Sequence, residues 1–205
     1  MDSETERVRR LQDRGARHYD RQIGFVERGL LGEGRPWVCG QARGDVLELA
    51  VGTGRNLPYY PPGITITGVE LSRKMLALAQ ARAASLGLQP DLRLGDAQAL
   101  DRPDRRFDTV VCTLGLCTIP DAGRAVAEAH RVLKPGGQLL LLEHVRSPLR
   151  AVLAIQRALE PLTVRLAGDH LTREPLDHLR AVGFTLQHVE RSRLGLVERV
   201  HALRS

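Results

Sequence analysis

Short apolar runs alternate with longer amphipathic ones along most of this chain. Residues 46–50, 64–69, 107–112 and 138–145 are brief, β-branched or mostly apolar, 91–94 is a short alternation of charged and apolar residues, and turn residues such as Pro61-Pro62-Gly63 punctuate them. They predict five strands. Residues 72–86 have helical spacing, with Met75, Leu76, Leu78 and Ala79 on the apolar face, Ser72 as N-cap and Gly87 as stop. Residues 121–133 predict another helix, closed by Pro135-Gly136-Gly137 before the fifth strand.

The two ends have a different rhythm. Residues 5–32 predict one or two charged, amphipathic helices, broken near Gly15 and ending at Gly32, and residues 34–44 a connection with a short helix. Residues 149–166 predict a helix broken at Pro161, and 172–182 a further one. Two last strands, 184–190 and 196–203, are joined only by the short segment around Arg193 to Gly195. A parallel pair needs a crossover of about a dozen residues, so these two must run antiparallel. Strands alternating with helices predict an α/β fold: a Rossmann-like doubly wound seven-stranded sheet, mostly parallel, with a C-terminal antiparallel hairpin. No internal repeat or low-complexity stretch interrupts it.

Composition narrows the function classes. At 205 residues the chain fits one domain. The net charge of +6 suggests nucleic acid, but only Lys74 and Lys134 among the 30 basic residues are lysines, and the arginines are scattered. With aromatics at 3% there is little to stack on bases, so no nucleic-acid partner is predicted. No apolar run reaches the roughly 20 residues of a membrane span, and the charged start, residues 1–10, shows no secretory signal. Cys39, Cys112 and Cys117 lack zinc-ligand spacing. They read as reduced thiols of a cytoplasmic protein with no metal site.

In a doubly wound sheet, ligands bind beyond the carboxyl ends of the strands near the switch point. The first strand runs into Ala50-Val51-Gly52-Thr53-Gly54, whose glycines allow close approach of the backbone to a ligand or simply a tight bend. The dinucleotide fingerprint wants a third glycine where this chain has Leu57, which counts against NAD. Glu70 ends the second strand, where a carboxylate accepts both hydroxyls of a ribose. Leu71 and Met75 offer apolar or thioether contact to an adenine ring, although Met75 suits plain helix packing equally well. After the third strand, Asp96 can accept from an adenine amino group and Ala97 leaves room for the ring edge.

One such group per successive strand end resembles the class I S-adenosylmethionine-dependent methyltransferases. The resemblance rests on 47–54 (Leu-Glu-Leu-Ala-Val-Gly-Thr-Gly), 68–72 (Gly-Val-Glu-Leu-Ser) with Met75-Leu76, Gly95-Asp96-Ala97, 107–111 (Phe-Asp-Thr-Val-Val) and 131–137 (Arg-Val-Leu-Lys-Pro-Gly-Gly). Ala50 departs from it, standing where the family often has glycine. The resemblance implies S-adenosyl-L-methionine as cofactor, held by Tyr19, Glu48, Ala50, Gly52, Thr53, Gly54, Asn56, Glu70, Leu71, Met75, Asp96, Ala97, Thr113 and Leu114. It also implies a single domain over 1–205, with 1–40 a helical lid and 146–172 a helical insertion over an acceptor pocket. Within the class, the chain most resembles the phospholipid and quinone methyltransferases, a likeness that extends to the lipid-associated thiol methyltransferases of animals. Val111-Cys112-Thr113-Leu114 with Cys117, Leu142-Glu143-His144-Val145 and Leu171-Thr172-Arg173-Glu174 resemble that last branch.

Methyl transfer is an in-line displacement in which the protein mainly positions the reactants. A base is needed only if the acceptor arrives protonated. His144, just beyond strand five, is the candidate catalytic residue. His170 and Tyr19 are alternatives that serve equally as ordinary structural side chains. Cys112 reads as core and Cys117 as a pocket wall. The apolar stretch 112–117 suits a greasy acceptor better than a flipped base, and the resemblance implies a small or lipid-like one: a phospholipid amine, a quinone-type ring or a thiol. Arg150, Arg157 and Arg165 fall near one face of the 149–166 helix, a candidate for peripheral contact with an anionic membrane. Two other functions compete, a non-catalytic S-adenosylmethionine-binding module and a nicotinamide-dependent oxidoreductase.

Overall fold

The computed structural model describes residues 3–192 and 194–205, so Met1, Asp2 and Arg193 of the predicted hairpin connection lie outside the described residues. One sheet of seven strands forms the centre, in the order β3-β2-β1-β4-β5-β7-β6. The strands are β1 (Asp45–Leu49), β2 (Thr65–Glu70), β3 (Asp91–Leu94), β4 (Phe107–Thr113), β5 (Leu133–His144), β6 (Phe184–Ser192) and β7 (Val197–Arg204). β1 to β5 pair in parallel, while β7 pairs antiparallel with both β5 and β6, as the short connection requires. The sheet is thus the predicted Rossmann-like arrangement with its C-terminal antiparallel hairpin.

Alternation along the strands divides the core. Leu47, Leu49, Val110, Cys112, Leu139 and Leu141 point to one face, packing against α4 (Ala122–Val132) and α6 (Pro175–Ala181). Val46, Val111, Leu140 and Leu142 point to the other, against α2 (Gly34–Cys39) and Leu31. A period of two puts successive side chains on opposite faces, so a strand covered on both reads as a continuous apolar run. Glu48 follows the same rule and faces the α2 side, as its bond to Asn56 and proximity to Arg35 require.

Boundaries follow local chemistry. α3 (Arg73–Ser85) is capped by Ser72, whose Oγ accepts from the Met75 amide at 3.1 Å, and ends before Gly87 at φ +68°. Three expectations need correction. α1 runs unbroken through Gly15 over Ser3–Val26 and passes into a π-helical turn, Glu27–Leu31, before Gly32 at φ +51°. One glycine costs a helix about 1 kcal/mol, and the Glu4–Arg7, Glu6–Arg9 and Arg9–Asp13 pairs, with buried Val8 and Ala16, support the turns before and around it.

α5 (Arg150–Ala167) likewise runs unbroken through Pro161. The exposed proline removes one helical hydrogen bond, and anchors on both sides hold the axis: Gln156 Nε2 donates to the Val145 and Leu171 carbonyls, and Thr163 Oγ1 to that of Asp169. The fifth strand begins at Leu133, not 138, because Leu133 pairs with Phe107 and a register shift before Thr109 absorbs Pro135-Gly136-Gly137. α6 starts at Pro175, where a fixed φ suits the first turn and no amide is lost.

Candidate cofactor and acceptor site

The order of strands reverses direction at β1 and β4, and the chain beyond their carboxyl ends opens into a cavity of about 1000 Å³. Its floor is the turn after β1, where Ala50, Gly52 and Gly54 all have positive φ (51°, 58° and 77°). Gly52 faces open space: a Cβ there would meet only the Ala50 carbonyl oxygen, at 3.8 Å. Gly54 faces inward, and a Cβ would press on Leu57 and Ala79 of α3 at 2.9 and 3.3 Å. The two glycines therefore do different work, one leaving room in the cavity and one letting α3 approach.

Glu70 is 3% exposed and ends β2 at the cavity wall. Its Oε2 accepts from the Gly52 amide at 2.9 Å and its Oε1 from the Ser72 amide at 2.8 Å. Burial pushes its pKa up, against those two amides. No basic side chain pairs with it among the described residues, so the remaining lone pairs of a rigid carboxylate are available to hydroxyl donors.

Of the predicted cofactor residues, Tyr19, Ala50, Gly52, Thr53, Glu70, Met75, Thr113 and Leu114 line the large cavity. Leu71, Asp96 and Ala97 line a neighbouring hollow of about 20 Å³, which shares Gln12, Ala50, Glu70 and Thr118 with it and is roofed by Val8 and Gln12 of α1. Asp96 Oδ1 there accepts from the amide and side chain of Gln98, both at 2.9 Å. Glu48 and Asn56 lie beneath the floor, with Asn56 Nδ2 donating to Glu48 Oε1 at 2.9 Å and Tyr60 Oη to Oε2 at 2.8 Å. Burial raises Glu48 to about 7 despite those bonds.

Two groups escaped the sequence. Arg35, 7% exposed, ties the N-terminal segment to the floor. Its Nη1 donates to Asn56 Oδ1 at 2.7 Å and Thr113 Oγ1 at 2.9 Å, and its Nε to Glu27 at 2.6 Å. An arginine between Gly34 and Pro36 carries no motif to mark it. The second is Asp169. The Asp169-His170 pair drew notice to the histidine, yet His170 turns toward Glu160 while Asp169 enters the cavity and meets His144.

His144 lines the far end of the cavity, its Nε2 2.9 Å from Asp169 Oδ1. Burial opposes the charged ring, but the hydrogen bond and charge of Asp169 prevail and raise the His144 pKa, while Asp169 is lowered in turn. Cys117 joins them, with Sγ, imidazole and carboxylate within 4.8 Å of one another. The three donors could meet a metal ion, but ring and carboxylate are spent on each other and burial holds Cys117 well above the usual thiol range. Cys112 lies in the core, its thiol on Glu143.

A methyltransferase-domain family model matches residues 47–141, the stretch holding the floor, Glu70, Asp96 and most of β5. The fold is that of the class I methyltransferases. The chain is 39% identical over 118 residues to a phosphatidylethanolamine N-methyltransferase of Cereibacter sphaeroides, covering 57% of this chain and 58% of that protein. It is 35% identical over 150 residues to a thiol S-methyltransferase of Rattus norvegicus, covering 71% of this chain and 62% of that one. The chain thus spans about six tenths of the length of these relatives. A solved S-adenosylmethionine-dependent methyltransferase from Thermotoga maritima superposes with a TM-score of 0.74 at 25% identity, over 96% of this chain and 99% of that one.

Proposed function

We propose that this protein is an S-adenosylmethionine-dependent methyltransferase acting on a small, amphiphilic acceptor that loses a proton, of which a thiol fits best. The observation that carries the reading is the pairing of two devices in one cavity: the buried carboxylate of Glu70 beside an open glycine floor, and the His144–Asp169 pair at the far end.

The residues fit the cofactor. Glu70 would hold the ribose hydroxyls, Leu71, Met75, Asp96 and Ala97 the adenine, and Gly52, Tyr19 and Thr113 the methionine part. The cofactor supplies an activated methyl group on a sulfonium sulfur, so the acceptor needs only to be placed and deprotonated. Residues 1–40 would form a lid, since α1 already roofs the hollow beside Asp96, and the 146–172 insertion supplies the acceptor wall through α5.

At the far end, neutral His144 takes the acceptor proton. Asp169 keeps the imidazole oriented and stabilises it once charged. Leu114, Val152, Ile155, Leu159 and Leu171 surround the path with apolar surface, which suits an acceptor with a hydrocarbon body. This favours a thiol or a lipid-like amine over a polar substrate and accords with the names of the relatives. The test is a screen for S-adenosylhomocysteine release with alkyl thiols, quinols and phosphatidylethanolamine. The reading expects turnover with hydrophobic thiols; cofactor binding with no turnover on any acceptor would favour a binding module.

A further inference from the structure

The exposed surfaces of α1 and α5 carry a pattern that begins at the cavity wall and extends beyond it, to Arg17, Arg21 and Leu162. On α1, Arg10, Arg14, Arg17 and Arg21 recur at intervals of four, three and four residues, which places them on one exposed face. Arg14, Arg17 and Arg21 meet no carboxylate among the described residues. Arg10 lies 3.7 Å from Glu6, which also holds Arg9, while Asp13 is engaged with Ser72 and Asp20 with Thr53 and Arg82.

On α5, Ile155, Leu159, Leu162 and Leu166 repeat with the same spacing and are 60%, 48%, 55% and 64% exposed. Arg150, Arg157 and Arg165 are exposed on the same helix without a carboxylate partner among the described residues, and Glu160 is turned inward to Thr172 and His170. No helix among the described residues is long and apolar enough to cross a membrane.

The two helices meet: Arg7 Nη1 donates to the Val164 carbonyl at 3.1 Å, and Gly168 sits against Val8. Leu11 and Arg14 of α1 and Ile155, Leu159, Arg165 and Leu166 of α5 also line the cavity, and all but Leu11 are exposed, so the cavity opens to solvent where these two helices border it.

We propose that this face docks on an anionic lipid bilayer with the cavity mouth turned to the lipid. The arginines complement anionic headgroups, the leucine stripe enters the acyl boundary, and long arginine side chains can reach the interface from a flanking position. A protein partner would explain the stripe and a polyanion the arginines, but a layered charge-and-hydrocarbon surface explains both and the placement of the mouth. The inference rests on the proposed amphiphilic acceptor, which would then pass from bilayer to His144 without crossing water.

The experiment is flotation of the full chain with phosphatidylcholine vesicles, with and without phosphatidylserine, at low and high salt. S-adenosylhomocysteine titration is run on the same preparation. Arg17, Arg21 and Leu162 lie outside the cavity lining, so Arg17→Gln/Arg21→Gln and Leu162→Ser test the surface alone. Wild type should float with the anionic vesicles at low salt and be released by high salt. The double variant should partition roughly thirtyfold less, from about 1 kcal/mol per arginine at an anionic surface. Leu162→Ser should also float less, and all should titrate alike. No flotation, equal flotation with phosphatidylcholine alone, unaltered variants, or burial of the stripe in a dimer of this chain would overturn the proposal. A protein that binds S-adenosylhomocysteine but does not float leaves the proposed function standing; one that floats without binding it does the reverse.

Discussion

His144 Nε2 and Asp169 Oδ1 lie 2.9 Å apart, joining the end of β5 to the turn after α5 at the far end of the cavity. Because Asp169 raises the His144 pKa, the acidic limb of the rate profile should fall above the ordinary imidazole value of ~6.5. Asp169→Asn removes that support and should move the limb to lower pH while lowering kcat. His144→Gln should cost on the order of 10²-fold near pH 7. With a thiol acceptor the loss should shrink as pH nears ~8.5, where the thiol ionises unaided. Profiles of kcat and kcat/KM for the three proteins check this. A His144→Gln loss that is the same at every pH would mean the ring only shapes the pocket.

The same pair links pH to stability. The raised His144 pKa contributes stability that is present below ~6.5 and lost as pH rises through its folded value. The lowered Asp169 pKa contributes stability present above ~3.9 and lost as pH falls through its folded value. Glu48 acts as His144 does: its carboxyl is raised from 4.5 to about 7, so rising pH across that window costs folding free energy. Glu48→Gln should flatten the dependence of Tm on pH between those values. Differential scanning calorimetry would show an unchanged slope if Glu48 were solvated.

Gly54→Ala should destabilise the protein by about 2–4 kcal/mol, combining a left-handed conformation with overpacking against Leu57 and α3. Gly52→Ala has the same kind of φ but meets open cavity, so its loss of stability should be smaller and its loss of cofactor affinity larger. Urea unfolding and ligand titration on both variants separate the roles; equal stability losses would contradict the assignment.

α1 is held over the site by two aspartates. Asp13 Oδ1 accepts from Ser72 Oγ at 2.6 Å and Asp20 Oδ1 from Thr53 Oγ1 at 2.6 Å. If α1 is a lid, Asp13→Ala/Asp20→Ala should speed both hydrogen exchange over Ser3–Val26 and release of S-adenosylhomocysteine, with little change in exchange of β1 and β4. Faster exchange with unaltered release would make α1 a cover that ligand traffic does not use.

The strands, and which of their ends open on the cavity and the hollow beside it, were legible because period, turn residues and strand-end chemistry are local: Gly52 and Asp96 follow their own strands and Glu70 ends its own. Gly15 and Pro161 misled because a single breaker is weighed against ion pairs and anchors, such as Gln156 on Val145, that sequence spacing does not show. Asp169 was hidden for a related reason. Its role depends on the packing of α5 bringing it back to His144 across 25 residues, and nothing in the residues beside it predicts that approach.

The buried carboxylate of Glu70 at the end of β2 is proposed to hold an adenosyl cofactor in this cavity. Calorimetric titration of the wild type and Glu70→Ala with S-adenosylhomocysteine and with NAD tests it most directly. One S-adenosylhomocysteine should bind per chain, and no NAD. The variant should lose about 10²-fold or more in affinity, from two hydrogen bonds to a charged group at roughly 1.5–3 kcal/mol each. Binding of NAD alone, or S-adenosylhomocysteine binding that Glu70→Ala leaves unchanged, would contradict it.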